Sequence, residues 1–165
     1  MFSYYAMKAL SFLICLLPHR AAMALGAGLA RLAWNFIPAR RKVLAREQVM
    51  RCLNVSEAEA ERIARASSLR FGPMLMEVLR FPVMKEHMED YVTLTGAVEE
   101  VRAAVVEGRG AIFATSHSGN WELMGGAFAS VGFPVVGVAK KQSSAGMDRF
   151  INEYRALVGM HITYR

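Results

Sequence analysis

His117 and Glu122 are the two residues of this chain whose types and spacing most readily suggest catalysis. They belong to one short stretch, Ala111-Ile-Phe-Ala-Thr-Ser-His-Ser-Gly-Asn-Trp-Glu122. In a His–Glu pair, the imidazole takes a proton from a hydroxyl while the carboxylate fixes the imidazole tautomer and stabilises the imidazolium. The spacing alone also fits a surface histidine beside a helix-capping acid, so both interpretations remain open at this point.

The surrounding residues predict how this pair would be positioned. The continuous apolar run from Ala111 to Thr115 is typical of a short buried strand, followed by a polar turn at 116–120. Asn120 is predicted to cap a helix that begins at Trp121. Glu122 would then lie in the first helical turn, where the positive end of the helix dipole favours a carboxylate. The pattern thus places His117 at the carboxyl end of a strand, where open α/β sheets bind ligands.

The segment His117-Ser-Gly-Asn-Trp-Glu-Leu123 closely resembles the signature of the late lipid A acyltransferases, the bacterial lauroyl/myristoyl acyltransferase family. Relatives of that family include the mannoside acyltransferases of actinobacteria. The resemblance covers nearly the whole chain: Pro38-Ala-Arg-Arg41 is similar to a Pro-Arg-Arg-like turn of the family, and Asp148 followed by Arg155 is similar to an Asp…Arg pair. It implies that His117 and Glu122 form the catalytic pair and that Arg155 is a functional position.

Acyl transfer to a hydroxyl needs a base, donors for the oxyanion of the tetrahedral intermediate, and a positioned acyl donor. We assign the base to His117 and the orienting carboxylate to Glu122. Backbone amides of the turn, from Ser118 to Asn120, are candidate oxyanion donors, and Gly119 and Asn120 are candidate substrate-binding residues. A nucleophilic serine is not expected, because the sequence lacks a Gly-x-Ser-x-Gly elbow.

Two cations are candidate substrate-binding residues because a guanidinium or an ammonium can contact a phosphate of the acceptor or of the carrier arm. Arg155 is the first, although without the resemblance a surface ion pair with Glu153 or Glu99 would be the simpler interpretation. Lys140 is the second, and here the chain departs from the family, many of whose members have an Arg-Pro step after the preceding strand.

The composition indicates contact with a membrane. The chain has 165 residues, of which 54% are hydrophobic, and its mean hydropathy is +0.24. Residues 1–46 contain seven basic residues and no acidic one, whereas the remainder has thirteen basic and fourteen acidic residues. Basic residues interleaved with apolar ones favour a membrane surface. No recognition motif supports nucleic acid as a partner.

The N-terminal residues 1–37 admit three interpretations. The apolar stretches Phe2 to Leu17 and Ala21 to Ile37 could be a membrane helix followed by an interfacial helix, a cleaved signal peptide, or a buried pair of helices. We favour the first. The basic cluster that follows, Arg40 to Lys42 with Arg46, would then hold the rest of the chain on the cytoplasmic face. With the resemblance, this predicts a location at the bacterial inner membrane.

The remaining pattern predicts an α/β fold, with membrane or interfacial helices followed by a partial, mostly parallel sheet flanked by helices. We expect an anchoring segment at 1–37, a helical linker region at 38–90 and a partial acyltransferase domain at 91–165. In the linker, Ser56 caps a helix from Glu57 that Gly72-Pro73 breaks. In the last part, four strands alternate with three helices, which argues for a parallel sheet. The strands are at 91–95, 111–116, 135–139 and 161–164, and the helices at 97–107, 121–131 and 147–158.

The resemblance implies an acyltransferase that uses an acyl carrier protein thioester as donor. The implied acceptor is a hydroxyl of a 3-hydroxyacyl chain on a phosphorylated disaccharide lipid, as in lipopolysaccharide biosynthesis. No cofactor is implied, and the spacing of His117, Glu122 and His161 fits no metal-ligand motif. Because family members are nearly twice as long, we expect this chain to correspond to their N-terminal part.

Three alternatives stay open. A glycerophospholipid acyltransferase is disfavoured because that class resembles His-x-x-x-x-Asp, whereas this chain has Glu122. A mannoside acyltransferase or another glycolipid acyltransferase fits the same motif. A truncated, non-catalytic membrane lipid-binding relative would keep the motif without turnover.

Overall fold

The computed structural model describes residues 1–165, which form eight α-helices, one short 3₁₀ turn and two strands. The helices are α1 Phe2–Cys15, α2 His19–Phe36, α3 Ala39–Leu53, α4 Glu57–Leu79, α5 Phe81–Met84, α6 Val98–Val106, α7 Trp121–Ser130 and α8 Ala145–Leu157. The strands are β1 Val136–Ala139 and β2 His161–Tyr164, and the 3₁₀ turn is Met88–Asp90.

The chain divides into two compact units. The first, which we call the α/β unit, comprises residues 1–16 and 78–165. The second, the helical unit, comprises residues 17–77. The three-part division at residues 37 and 90 that the sequence suggested stays a prediction.

The sheet of the α/β unit consists of β1 and β2, which pair in parallel with Val136 opposite His161 and Ala139 opposite Tyr164. Helix α8 connects the two strands along the chain. This strand–helix–strand order was predicted, and the structure confirms it. The α/β class is therefore supported on a small scale, by one parallel pair of strands among helices.

Two predicted strands are wrong, at 91–95 and 111–116. Neither segment pairs with a neighbouring strand, and the sheet contains only β1 and β2. A strand exists only when its backbone groups find a hydrogen-bonded neighbour, which an apolar run alone does not supply. Residues 111–119 are exposed instead, with Ile112 entirely so. Phe113 is anchored on α7 by Phe128, with 4.8 Å between the ring centroids.

Helix α1 packs against α8 through polar groups. The Tyr4 hydroxyl donates to Glu153 Oε2 at 2.5 Å, and Lys8 Nζ donates to Glu153 Oε1 at 2.7 Å. Deeper in the same contact, the Tyr154 hydroxyl donates to Ser11 Oγ at 2.5 Å, and both side chains are buried. Burial of these hydroxyls is tolerated because each is hydrogen-bonded.

The predicted N-terminal membrane helix is not found. Helix α1 has 14 residues, whereas a span needs about 20. No helix of the structure combines the length and the hydropathy that crossing a membrane requires.

In the helical unit, α4 continues through Gly72-Pro73, so the predicted break is wrong. Ser56 does cap α4 as predicted, accepting from the Glu59 amide at 3.3 Å. Proline removes one helical hydrogen bond and usually bends or ends a helix. Here tertiary packing outweighs that cost, because Gly72 lies against Gly26 of α2. A Cβ on Gly72 would overlap the Gly26 carbonyl oxygen, and one on Gly26 would lie 2.7 Å from the Gly72 oxygen.

Candidate functional site

The site is built around the start of α7. Asn120 caps this helix as predicted, its Oδ1 accepting from the Leu123 amide at 3.1 Å. Gly119 precedes it with φ +67°, a left-handed conformation that glycine adopts without strain. The conformation of Gly119 and the Asn120 cap together define how the exposed segment 116–119 leads into α7. They therefore define the position of His117 relative to that helix.

His117 lies in this turn and is exposed to solvent. Its ring packs beside Trp121, with 4.6 Å between the centroids. The imidazole forms no hydrogen bond with Glu122 in this structure. The two residues of the predicted catalytic pair lie five positions apart along the chain, and a contact between them stays a prediction.

Glu122 is held by Arg155 instead. The Arg155 Nε donates to Glu122 Oε2 at 2.8 Å, and Nη2 donates to Oε1 at 2.6 Å. Both side chains are largely shielded, with exposed fractions of 9% for Glu122 and 13% for Arg155. The pKa of Arg155 is raised, first because its guanidinium donates to Glu122. This two-pronged geometry specifies orientation as well as attraction.

The alternative partners weighed for Arg155 are wrong. Glu153 pairs with Lys8, and Glu99 pairs with Arg102. Arg155 lies in the last turn of α8 and Glu122 in the first turn of α7. The pair therefore connects the two helices, and the positions of these residues along the chain do not predict that contact.

A hydrogen-bonded network continues from Arg155 along α8. Its Nη1 donates to Asn152 Oδ1 at 3.4 Å, and Asn152 Nδ2 donates to the Tyr164 hydroxyl at 2.6 Å. Tyr164 in turn donates to Asp148 Oδ2 at 2.6 Å. The network thus connects the end of β2 to α8, the helix whose Arg155 binds Glu122.

Asp148 is the anchor of this network. Besides the Tyr164 hydroxyl, it accepts the Gln142 amide at 2.7 Å. The pKa of Asp148 is lowered, chiefly by the hydrogen bond from Tyr164 and then by that from Gln142. The same bond to Asp148 is the first cause of the raised pKa of Tyr164. Asp148 therefore connects α8 to the loop at Gln142 and to the end of β2.

Sequence reasoning missed Asn152 and Tyr164. The available signal was the four-residue spacing of Asp148 and Asn152, which places both on one face of a helix. Tyr164 gave no such signal, because its contact depends on how β2 packs beside α8.

Lys140 lies directly after β1, exposed at the rim of a surface depression formed by residues 140–143. The backbone of that loop is tied to the network through the Gln142 amide. Lys140 makes no ion pair, which leaves its ammonium accessible to an anion. Its substrate-binding role stays a prediction.

Comparison with known proteins gives one family. The sequence model described as bacterial lipid A biosynthesis acyltransferase matches residues 1–165, the whole of this chain. A search of curated proteins returned no match.

Proposed function

From the premise that this chain belongs to the bacterial lipid A biosynthesis acyltransferase family, and so is an acyltransferase, we propose the following reaction. A fatty acyl group passes from an acyl carrier protein thioester to a hydroxyl of a phosphorylated lipid A precursor. His117 is the general base. The observation that carries the proposal is the largely shielded Glu122–Arg155 pair, whose carboxylate lies at the start of the helix that follows the exposed turn of His117.

The Arg155 contact is compatible with an orienting role for Glu122. A carboxylate has about four lone-pair positions, and Arg155 occupies one on each oxygen. A lone pair therefore remains that can accept an imidazole N–H when His117 turns away from Trp121. Arg155 would hold the carboxylate in a fixed direction while this bond forms.

The reaction needs no covalent enzyme intermediate. The acceptor hydroxyl gives its proton to His117 as its oxygen attacks the thioester carbonyl. Backbone amides at Gly119 and Asn120, at the N-terminus of α7, support the oxyanion of the tetrahedral intermediate. The intermediate collapses to the ester, and the imidazolium returns the proton to the departing thiolate.

The two candidate cations take different roles in this proposal. Arg155 commits two nitrogens to Glu122, so we assign it first to positioning that carboxylate rather than to contacting substrate. Lys140 is the exposed cation, and we assign it to a phosphate of the acceptor or of the carrier arm. We place the enzyme on the cytoplasmic face of the inner membrane, where the proposed donor and acceptor would meet.

The test is an acyl-transfer assay with acyl carrier protein thioester and a lipid A precursor, using membranes that contain the full chain. We expect His117→Ala to lower the rate about 10²- to 10⁴-fold, the usual contribution of a general base. His161→Ala is the matched control, because His161 is also an exposed histidine but lies on β2. Equal rates in the two variants would remove His117 from the mechanism.

A further inference from the structure

The donors and acceptors of the network behind Glu122 can be arranged in only one way. Arg155 can only donate, so the oxygen of the Asn152 amide faces it, 3.4 Å from Nη1. The Asn152 nitrogen therefore faces the Tyr164 hydroxyl and donates to it at 2.6 Å. That hydroxyl gives its own proton to Asp148 Oδ2 at 2.6 Å, because an ionised carboxylate can only accept. The direction of every bond from Arg155 to Asp148 is thus fixed by the two ends.

This arrangement holds the Arg155 guanidinium from both sides. Arg155 is a long side chain in the last turn of α8, where helices fray. Glu122 accepts from Nε and Nη2, and Asn152 accepts from Nη1. A guanidinium is planar, so a support on the far side keeps that plane in place and with it the direction of the carboxylate that the plane binds.

Tyr164 also directs a second carboxylate away from Arg155. Asp148 lies seven positions before Arg155 on α8, which is two helical turns and therefore the same side of the helix. Its Oδ1 accepts the Gln142 amide and its Oδ2 accepts the Tyr164 hydroxyl. These bonds direct Asp148 toward the loop and β2, and the Arg155 guanidinium stays with Glu122.

We propose that Tyr164 is a positioning residue for acyl transfer. Through Asn152 and Arg155, its hydroxyl fixes the direction of the carboxylate that orients His117. This inference deepens the proposed function and rests on it, since the direction of Glu122 matters to turnover only if Glu122 serves the catalytic base. Tyr164 is assigned no contact with substrate, so its whole effect must pass through Glu122.

Kinetics of Tyr164→Phe, alone and combined with Glu122→Gln, test this path in the acyl-transfer assay of the full chain. Tyr164 is 45% exposed, and phenylalanine keeps its ring while deleting the hydroxyl, so the fold should persist. We expect Tyr164→Phe alone to lower kcat about tenfold, because a small displacement of a catalytic group is costly. With Glu122→Gln already present, it should lower kcat no more than about twofold. A merely structural role would lower kcat by the same factor in both backgrounds, and that result would overturn the proposal.

Tyr154→Phe is the matched control. It deletes a hydroxyl from α8, one position before Arg155, but that hydroxyl donates to Ser11 and lies outside the network. Because Tyr154 is buried, this variant should lose more stability in thermal unfolding than Tyr164→Phe and still change kcat by no more than about twofold. Equal losses of kcat in the two tyrosine variants would contradict a specific role for Tyr164.

Proton exchange at Arg155 Nε gives a readout that needs no turnover. Nitrogen-15 NMR detects arginine Nε–H groups, and Arg155→Lys assigns the signal by removing it. This Nε–H donates to Glu122 within a largely shielded pair, so its exchange with water should be slow. We expect Tyr164→Phe to accelerate the exchange about tenfold and Tyr154→Phe to leave it within about twofold. Unchanged exchange in Tyr164→Phe would show that its hydroxyl does not hold Arg155.

Failure of this inference and failure of the proposed function give different results. If Glu122→Gln left kcat unchanged, the catalytic assignment of Glu122 would fail, whatever the exchange rates were. If Glu122→Gln lowered kcat and Tyr164→Phe did not, the positioning role alone would fail. Circular dichroism verifies the fold of each variant, and Glu122→Asp replaces Glu122→Gln if the latter does not fold.

Discussion

The two units join their helices by different means. In the α/β unit, α8 is connected to α1 and α7 by what we call the polar joint, formed by Tyr4 and Lys8 on Glu153 and by Arg155 on Glu122. In the helical unit, α2 and α4 meet at the glycine crossing, formed by Gly26 and Gly72. The polar joint depends on charge and direction, whereas the glycine crossing depends on the absence of side-chain atoms.

This difference matters for function. A bidentate ion pair fixes the angle of a carboxylate, which is what an orienting group beside a catalytic histidine requires. A glycine crossing fixes only the distance between the helices. The polar joint therefore suits a site that needs a directed carboxylate, and the glycine crossing suits two helices that pack closely.

The largest effect should come from breaking the polar joint at Arg155. Arg155→Met leaves the Glu122 carboxylate buried without its cation, and we expect a loss of about 3–5 kcal/mol in the free energy of unfolding. Urea denaturation measures it. Arg102→Met breaks an exposed ion pair with Glu99 and should cost at most about 1 kcal/mol. If the two losses were equal, the Glu122–Arg155 pair would have no special role in the polar joint.

The next effect should come from adding one methyl group to the glycine crossing. Gly72→Ala places a Cβ against the Gly26 carbonyl, where only a backbone shift can make room, and should cost about 1–3 kcal/mol. Gly28→Ala is the matched control, because a Cβ there meets nothing within 4 Å. It should stabilise α2 by about 0.5–1 kcal/mol. Opposite signs in denaturation experiments would verify the crossing, and equal signs would contradict it.

Acid should weaken the network behind the polar joint. The pKa of Asp148 is lowered in the folded chain. Between the folded and unfolded pKa values the unfolded chain therefore binds more protons, and the free energy of unfolding decreases as the pH is lowered. The contribution is complete above the unfolded pKa, which is about 4, and is lost as pH falls through the folded pKa. Tyr164→Phe removes the chief cause of the shift. It should therefore weaken the dependence of the free energy of unfolding on pH below about 4. An unchanged slope would show that the Tyr164 hydroxyl does not lower the pKa of Asp148.

The smallest effect should come from the exposed turn. His117→Ala removes a ring contact with Trp121 at an exposed position, and we expect the free energy of unfolding to change by no more than about 0.5 kcal/mol. Paired with the large loss of turnover proposed above, this would separate catalysis from stability. A loss of several kcal/mol would instead make His117 part of the packing at the start of α7.

How far the sequence could predict these features depended on how local they are. The Asn120 cap, the Ser56 cap and the β1–α8–β2 order follow from neighbouring residues, and all three are confirmed. The continuation of α4 through Pro73 depends on the contact with Gly26, which only tertiary packing reveals. The strand predicted at 111–116 fails for a related reason, since apolar composition does not supply a pairing partner.

The candidate site divides in the same way. The types and spacing of His117 and Glu122, together with the family resemblance, identified the catalytic candidates, and their roles stay predictions. The Glu122–Arg155 contact joins residues 33 positions apart, and no periodicity along the chain predicts such a pair.

The attachment of α1 to α8 also orders the events of chain synthesis. Lys8 and Glu153 are separated by 145 positions, so α1 finds this partner only after the residues between them have been made. The helical unit, 17–77, draws its contacts from one continuous stretch and can fold in the meantime. Because contacts between residues far apart along the chain form slowly, the side of α1 that packs on α8 stays exposed to solvent until residues 145–157 have been made.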